Sequence, residues 1–313
     1  MKIWRWVASV LLTLTIAFFI IAAFIYTPEN QESDHDQSPP PQTEPEGVEK
    51  EHQSSDEERD INESDSENKT DKSEETLSGE LREVFTSVIE SARGLFVRQD
   101  LDIVAIGDSL TQGVGDSTDN GGYVGILEDT INSNQPLETL DIANYGVRGN
   151  RTDQLLERMQ TEEISQSLRE ADVVIITIGA NDVMKVVKNN FASLNYEQFQ
   201  EAQTGYKERL NEIFQRVESL NPDVPIYLVG LYNPFEYYFN NIPELGQIMS
   251  DWNRVSKEVI SNYEQAEFIP IKDIFLGSEE ELLWKEDYFH PNEKGYKRIA
   301  ERVLEYIRPD IEQ

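Results

Sequence analysis

Ser109 stands in Gly107-Asp108-Ser109-Leu110, directly after the apolar residues 101–106. A serine on a strand-to-helix turn presents its hydroxyl at the carboxyl edge of a sheet. N–H groups at the start of the helix can there stabilise a developing oxyanion. The same residues also make an ordinary helix cap, for which Asp and Ser are common choices. Near the other end of the chain, Asp287-Tyr288-Phe289-His290-Pro291 sets a carboxylate three residues before an imidazole. Such a carboxylate can accept Nδ1–H, fix the tautomer and leave Nε2 to take a proton from a serine. A surface loop with a hydrogen-bonded histidine has the same appearance. Asn181, in Gly179-Ala180-Asn181-Asp182, can donate its amide toward the same point or form an Asx turn. In Asn144-Tyr145-Gly146-Val147-Arg148-Gly149-Asn150 the glycines permit positive φ in a turn.

Other chemistries fit the residues less well. The chain has no cysteine, and His290 is the one histidine among residues 77–313, so neither a disulfide framework nor a zinc site is expected. No metal and no cofactor are implied. An α/β-hydrolase elbow needs Gly-x-Ser-x-Gly, but Thr111 occupies the last glycine position. The formal net charge of −33 argues against nucleic acid, whose affinity for proteins rests on Lys and Arg releasing counterions.

The elements that must carry these residues alternate. Apolar runs at 101–106, 140–144, 173–178, 226–229 and 268–271 predict five short strands. Helical patterns lie over 122–134, 152–169, 196–220 and 243–264, with a last one through Tyr296, Ile299, Ala300, Val303, Leu304 and Ile307. An amphipathic lead-in helix is predicted over 81–96. Strands alternating with helices imply an α/β fold whose parallel sheet is covered on both faces, with ligands beyond the carboxyl ends of the strands.

The N-terminal quarter has a different character. Residues 6–26 contain no charge and are mostly apolar, long enough for a bilayer-spanning helix. Lys2 and Arg5 precede that run and an acidic flank follows it. The positive-inside rule then keeps the N-terminus in the cytosol and puts the rest outside; the alternative is a signal peptide cleaved near Ala22 and Ala23. Residues 28–76 hold 18 acidic and 4 basic residues with almost no aliphatic ones, which predicts a disordered, self-repelling spacer. The remaining residues carry −21. The expected organisation is an anchor at 1–27, an acidic linker at 28–76 and one domain at 77–313, single-pass in the cytoplasmic membrane.

Together the four motifs resemble the SGNH, or GDSL-type, hydrolase superfamily over residues about 101–308. The resemblance implies a flavodoxin-like three-layer α/β/α sandwich and a serine esterase or lipase. It implies that Ser109 is nucleophile and backbone oxyanion donor, Gly149 the backbone donor of the second block in preference to Gly146, and Asn181 the side-chain donor. Asp287 and His290 complete the triad. Asn150-Arg151-Thr152 follows Gly149 where relatives often carry an acidic residue and threonine. The expected substrates are esters of lipids, lysophospholipids or acylated envelope polymers, attacked by a monomer; the competing reading is a catalytically silent envelope-binding or scaffolding domain. After the fourth strand, Tyr232, Phe235 and Tyr238 are candidates to wall an acyl pocket, or else to pack onto the next helix.

Overall fold

A computed structural model describes residues 97–98, 100–118, 120–133, 140–190, 193–235 and 243–312. The apolar run at 6–26, the acidic spacer and the predicted lead-in helix lie outside the described residues. Among those described, no helix is long and apolar enough to cross a membrane.

Five strands form one parallel sheet: β1 (Ile103–Gly107), β2 (Ala143–Gly146), β3 (Val173–Thr177), β4 (Ile226–Val229) and β5 (Ala266–Ile269). β1, β3 and β4 are uninterrupted runs of buried residues, as strands covered on both faces must be. β2 and β5 expose Asn144 and Glu267 because they are the edges. The order is β2-β1-β3-β4-β5. Register pairs Gly107 with both Gly146 and Thr177, Thr177 with Val229, and Val229 with Ile269, so all five strands finish at one flush carboxyl edge. The chain leaves β1 to one side for β2 and returns past it for β3, which opens a crevice at the end of β1.

The helices are α1 (Ser109–Gln112), α2 (Gly122–Ser133), α3 (Thr152–Arg158), α4 (Glu162–Glu170), α5 (Ala180–Asn189), α6 (Tyr196–Leu220), α7 (Pro243–Ile260), α8 (Lys272–Phe275), α9 (Glu279–Leu282) and α10 (Glu293–Ile311). Alternate strand residues sort them into two layers. Ile103, Ala105, Val173, Ile175, Tyr227 and Val229 face Tyr123 and Leu127 of α2 and Tyr296, Ile299 and Val303 of α10. Val104, Ile106, Val174, Ile176, Ile226 and Leu228 face Leu155 of α3, Leu168 of α4, Leu210 and Phe214 of α6 and Trp252 of α7. The expected three-layer α/β architecture with five parallel strands is therefore present.

Boundaries differ from the sequence expectation for identifiable reasons. β2 begins at Ala143, because Leu140 exchanges two hydrogen bonds of 2.7 and 2.9 Å with the Asn132 side chain instead of joining the ladder. β5 ends at Ile269, before Pro270, which has no N–H to give. The helix expected over 152–169 is two: Gln160 and Thr161 donate to carbonyls three residues back, and Ser165 Oγ donates to the Met159 carbonyl, closing α3 and opening α4. α5 starts within Gly179-Ala180-Asn181-Asp182, a stretch that reads locally as a turn.

Candidate active site

Asp108 caps α1: its carboxyl accepts the Leu110 N–H at 3.0 Å, which makes Ser109 the first residue of a helix that begins where β1 ends. The cap is itself held from below. The Thr177 hydroxyl donates to Asp108 Oδ1 at 2.9 Å, and a buried line of hydroxyls continues through Thr111 at 2.7 Å to Tyr123 at 3.0 Å. Burial pushes the Asp108 carboxyl up to about 7, against the smaller lowering effects of the Leu110 N–H and the Thr177 hydroxyl. Gly107 is required here, since a Cβ would lie 2.1 Å from the Thr177 carbonyl.

The second cluster comes from the loop before α10. Asp287 Oδ1 accepts the N–H groups of Phe289 and His290 at 2.9 and 3.0 Å, and Tyr288 between them takes a left-handed φ of 49°. This tight turn brings Asp287 Oδ2 to 2.6 Å from His290 Nδ1. A carboxylate can only accept, so Nδ1 carries the proton and Nε2 is the acceptor for the Ser109 hydroxyl, 2.9 Å away. All three side chains are buried. Burial pushes Asp287 upward, but the imidazole hydrogen bond, its charge and the two backbone N–H groups outweigh that effect and hold the carboxyl below its usual value. Tyr232, stacked on Phe275 at 4.0 Å, donates its hydroxyl to the Phe289 carbonyl at 2.6 Å and so pins the histidine loop to the end of β4.

The third cluster joins the loop after β2 to the start of α5. Asn181 Nδ2 donates to the Asn150 carbonyl at 3.0 Å. Asp182 accepts the Thr152 N–H and hydroxyl at 3.0 and 2.6 Å and pairs with Arg209 at 3.1 Å. From the other side, Arg158 donates to Asn150 Oδ1 at 2.8 Å and to the Tyr145 carbonyl at 2.7 Å. Gly149 sits inside this clamp at φ 81°, with open space where a Cβ would stand. Gly146 differs: a Cβ there would lie 2.1 Å from the Gln112 nitrogen, so it serves close packing of β2 against α1.

Sequence reasoning pointed to Ser109, Gly149, Asn181, Asp287 and His290, and the carboxyl edge gathers their segments around β1. It missed Thr177, Asp182 and Arg209, whose partners are distant in sequence, and Arg158, whose partners Asn150 and Tyr145 lie 8 and 13 residues before it. Of the aromatic candidates, Tyr232 lines the small cavity beside Ser109 and also belongs to the core. Phe235 packs against the Phe289 ring at 6.0 Å. Tyr238 lies outside the described residues. A larger groove of about 770 Å³ runs along the outer side of α10, between Asp273 and Arg308. Its arginines are engaged with Asp273, Glu301 and Glu312, and it takes no part in this site. Among the described residues there is no group of three or more His, Asp or Glu placed to hold a metal ion.

A serine, an imidazole and a carboxylate in one hydrogen-bonded line at the end of the first strand of a parallel sheet can together carry out acyl transfer. The chain belongs to the GDSL-like lipase/acylhydrolase family, hydrolases acting on esters, which is matched over residues 105–298. It is 38% identical over 214 residues to YpmR of Bacillus subtilis (strain 168), covering 68% of this chain and 84% of that protein. It is 25% identical over 211 residues to the spore germination lipase LipC of Bacillus licheniformis, covering 65% of this chain and 94% of that one. Among solved structures, the lipase Lip_vut3 from a goat rumen metagenome superposes with a TM-score of 0.58 at 24% identity, covering 66% of this chain and 96% of that one. That last likeness concerns the fold.

Proposed function

We propose that this chain is a serine esterase or lipase-type acylhydrolase that cleaves carboxylic esters of lipid, lysophospholipid or acylated envelope substrates. The observation that carries the reading is the buried line Asp287–His290–Ser109, with contacts of 2.6 and 2.9 Å. In this mechanism His290 Nε2 takes the Ser109 proton as Oγ attacks the ester carbonyl, and Asp287 stabilises the imidazolium. The backbone N–H groups of Ser109 and Gly149 and the second N–H of the Asn181 amide hold the oxyanion. His290 then gives its proton to the leaving alcohol. Water, activated by the same imidazole, attacks the acyl-serine ester to release the acid and restore the serine.

The reading extends to location. The apolar run at 6–26, flanked by Lys2 and Arg5, anchors the protein in the cytoplasmic membrane with the hydrolase domain outside and the acidic residues 28–76 as its stalk. The test of function is hydrolysis of a panel of p-nitrophenyl esters, phospholipids and acetylated glycans by the full chain. Ser109→Ala and His290→Ala should each lower turnover by several orders of magnitude with the fold retained. Wild-type activity in purified Ser109→Ala would overturn the mechanism.

A further inference from the structure

Beside Ser109 and His290 lies a cavity of about 30 Å³. Its lining includes Ile178, Val229, Leu231 and Met249, every one of them buried and part of the packed core. Ala180 and Phe289 add further apolar lining. For scale, an apolar cavity of about 150 Å³ takes up benzene, so about 30 Å³ corresponds to one or two carbons. The wall is close-packed core and cannot widen without displacing residues on β4 and α7.

The lining also decides which half of an ester enters. The alcohol half of a glycerolipid or a glycan carries hydroxyl or phosphate groups, which would lose their hydrogen bonds against Ile178, Leu231 and Met249. An alkyl group loses nothing there.

We propose that this cavity is the acyl pocket and that it restricts the enzyme to esters of two- to three-carbon acids, acetyl esters above all, with Met249 as the residue that sets the limit. This rests on the assignment of Ser109 as nucleophile, and it selects short-acyl-decorated substrates over long-chain lipids. The acetyl methyl fills the cavity while the alcohol, of whatever size, stays on the open side.

The test is the chain-length profile of the full chain on p-nitrophenyl acetate, butyrate, hexanoate and octanoate, with Ser109→Ala as blank. One methylene too many in an apolar pocket costs about 10- to 200-fold in kcat/KM. Acetate is therefore expected to exceed octanoate by at least about tenfold, on that same scale. Met249→Ala should raise hexanoate relative to acetate by about tenfold or more, and Met249→Phe should confine activity to acetate. Both are read as ratios within one preparation, so altered stability does not imitate them. A wild-type profile that peaks at butyrate or a longer ester overturns the size limit while leaving the nucleophile intact, and unchanged ratios in both Met249 variants remove Met249 from its role. Absence of Ser109-dependent turnover on every ester would instead overturn the nucleophile assignment, and the limit with it.

Discussion

The Asn181 amide donates to the main-chain carbonyl of Asn150 across 3.0 Å, so the helix after β3 holds the loop that follows β2. One of the two N–H groups on Nδ2 is thereby committed to structure, and the proposed oxyanion contact falls to the other. Asn181→Ala removes both. Loss of one oxyanion donor costs about 10²–10³ in kcat. The expected result is a fall at or beyond the upper end of that range, because the Gly149 loop also loses a brace. Steady-state kinetics on a short ester, together with a melting curve, checks it; a loss under tenfold would contradict the donor role.

Arg158 acts on the same loop from the opposite side, through Asn150 Oδ1 and the Tyr145 carbonyl. Arg158→Met keeps the aliphatic stem and removes the donors. Hydrogen bonds from charged donors contribute roughly 1.5–3 kcal/mol each, so a measurable drop in Tm is expected. The kinetic signature of a positioning residue is a lower kcat with KM nearly unchanged. If kcat per folded molecule equals that of wild type, the clamp is merely structural.

Asp287→Asn separates tautomer from charge. Asn can still accept the Phe289 and His290 N–H groups at Oδ1, but its NH₂ would face Nδ1 as a donor. That pushes the imidazole proton to Nε2, where it can no longer accept from Ser109. The expected loss is about 10⁴ in kcat, as for the same exchange in other serine triads. The wild-type carboxyl, held below its usual value in the fold, adds stability that is present above about pH 4 and is lost as pH falls through its folded value. Thermal melting should therefore be less acid-sensitive in Asp287→Asn than in wild type.

Asp108 has the opposite sign. Its carboxyl is raised from 3.8 to about 7, so the folded state binds more protons than the unfolded state between those values. Its contribution is fully present below pH 3.8 and declines as pH rises toward about 7. Asp108→Asn retains an acceptor for the Leu110 N–H and abolishes the titration. Melting temperature against pH should show the variant gaining on wild type as pH rises from 3.8 to about 7. Parallel curves would mean that the carboxyl does not titrate there.

The strands were legible because parallel strands covered on both faces carry unbroken β-branched runs, as Val173-Val174-Ile175-Ile176 does. The candidate site was legible because its residues follow those runs directly, as Ser109 follows β1 and Asn181 follows β3. Thr177 was not, since the last residue of a buried strand gives no local sign that its hydroxyl supports a cap 69 residues away. Arg158 and Arg209 read as ordinary helix residues, and only the docking of α3 and α6 turns them inward to Asn150 and Asp182. α5 was hidden for a related reason: Gly-Ala-Asn-Asp has turn chemistry, and the helix starts inside it because Asn181 and Asp182 find partners in another loop.

α10 begins beside His290 and runs for 19 residues, about 28 Å at 1.5 Å per residue, to Ile311. There the Ile311 carbonyl accepts the Arg98 N–H at 3.0 Å, and Glu312 bridges Val97. Among the described residues, Val97 and Glu312 therefore lie at one pole while Ser109 sits at the other. A tag joined beyond residue 312 would leave on the side away from Ser109. A short peptide from residue 312 to residue 97 would close residues 97–312 into a ring without approaching the cavity.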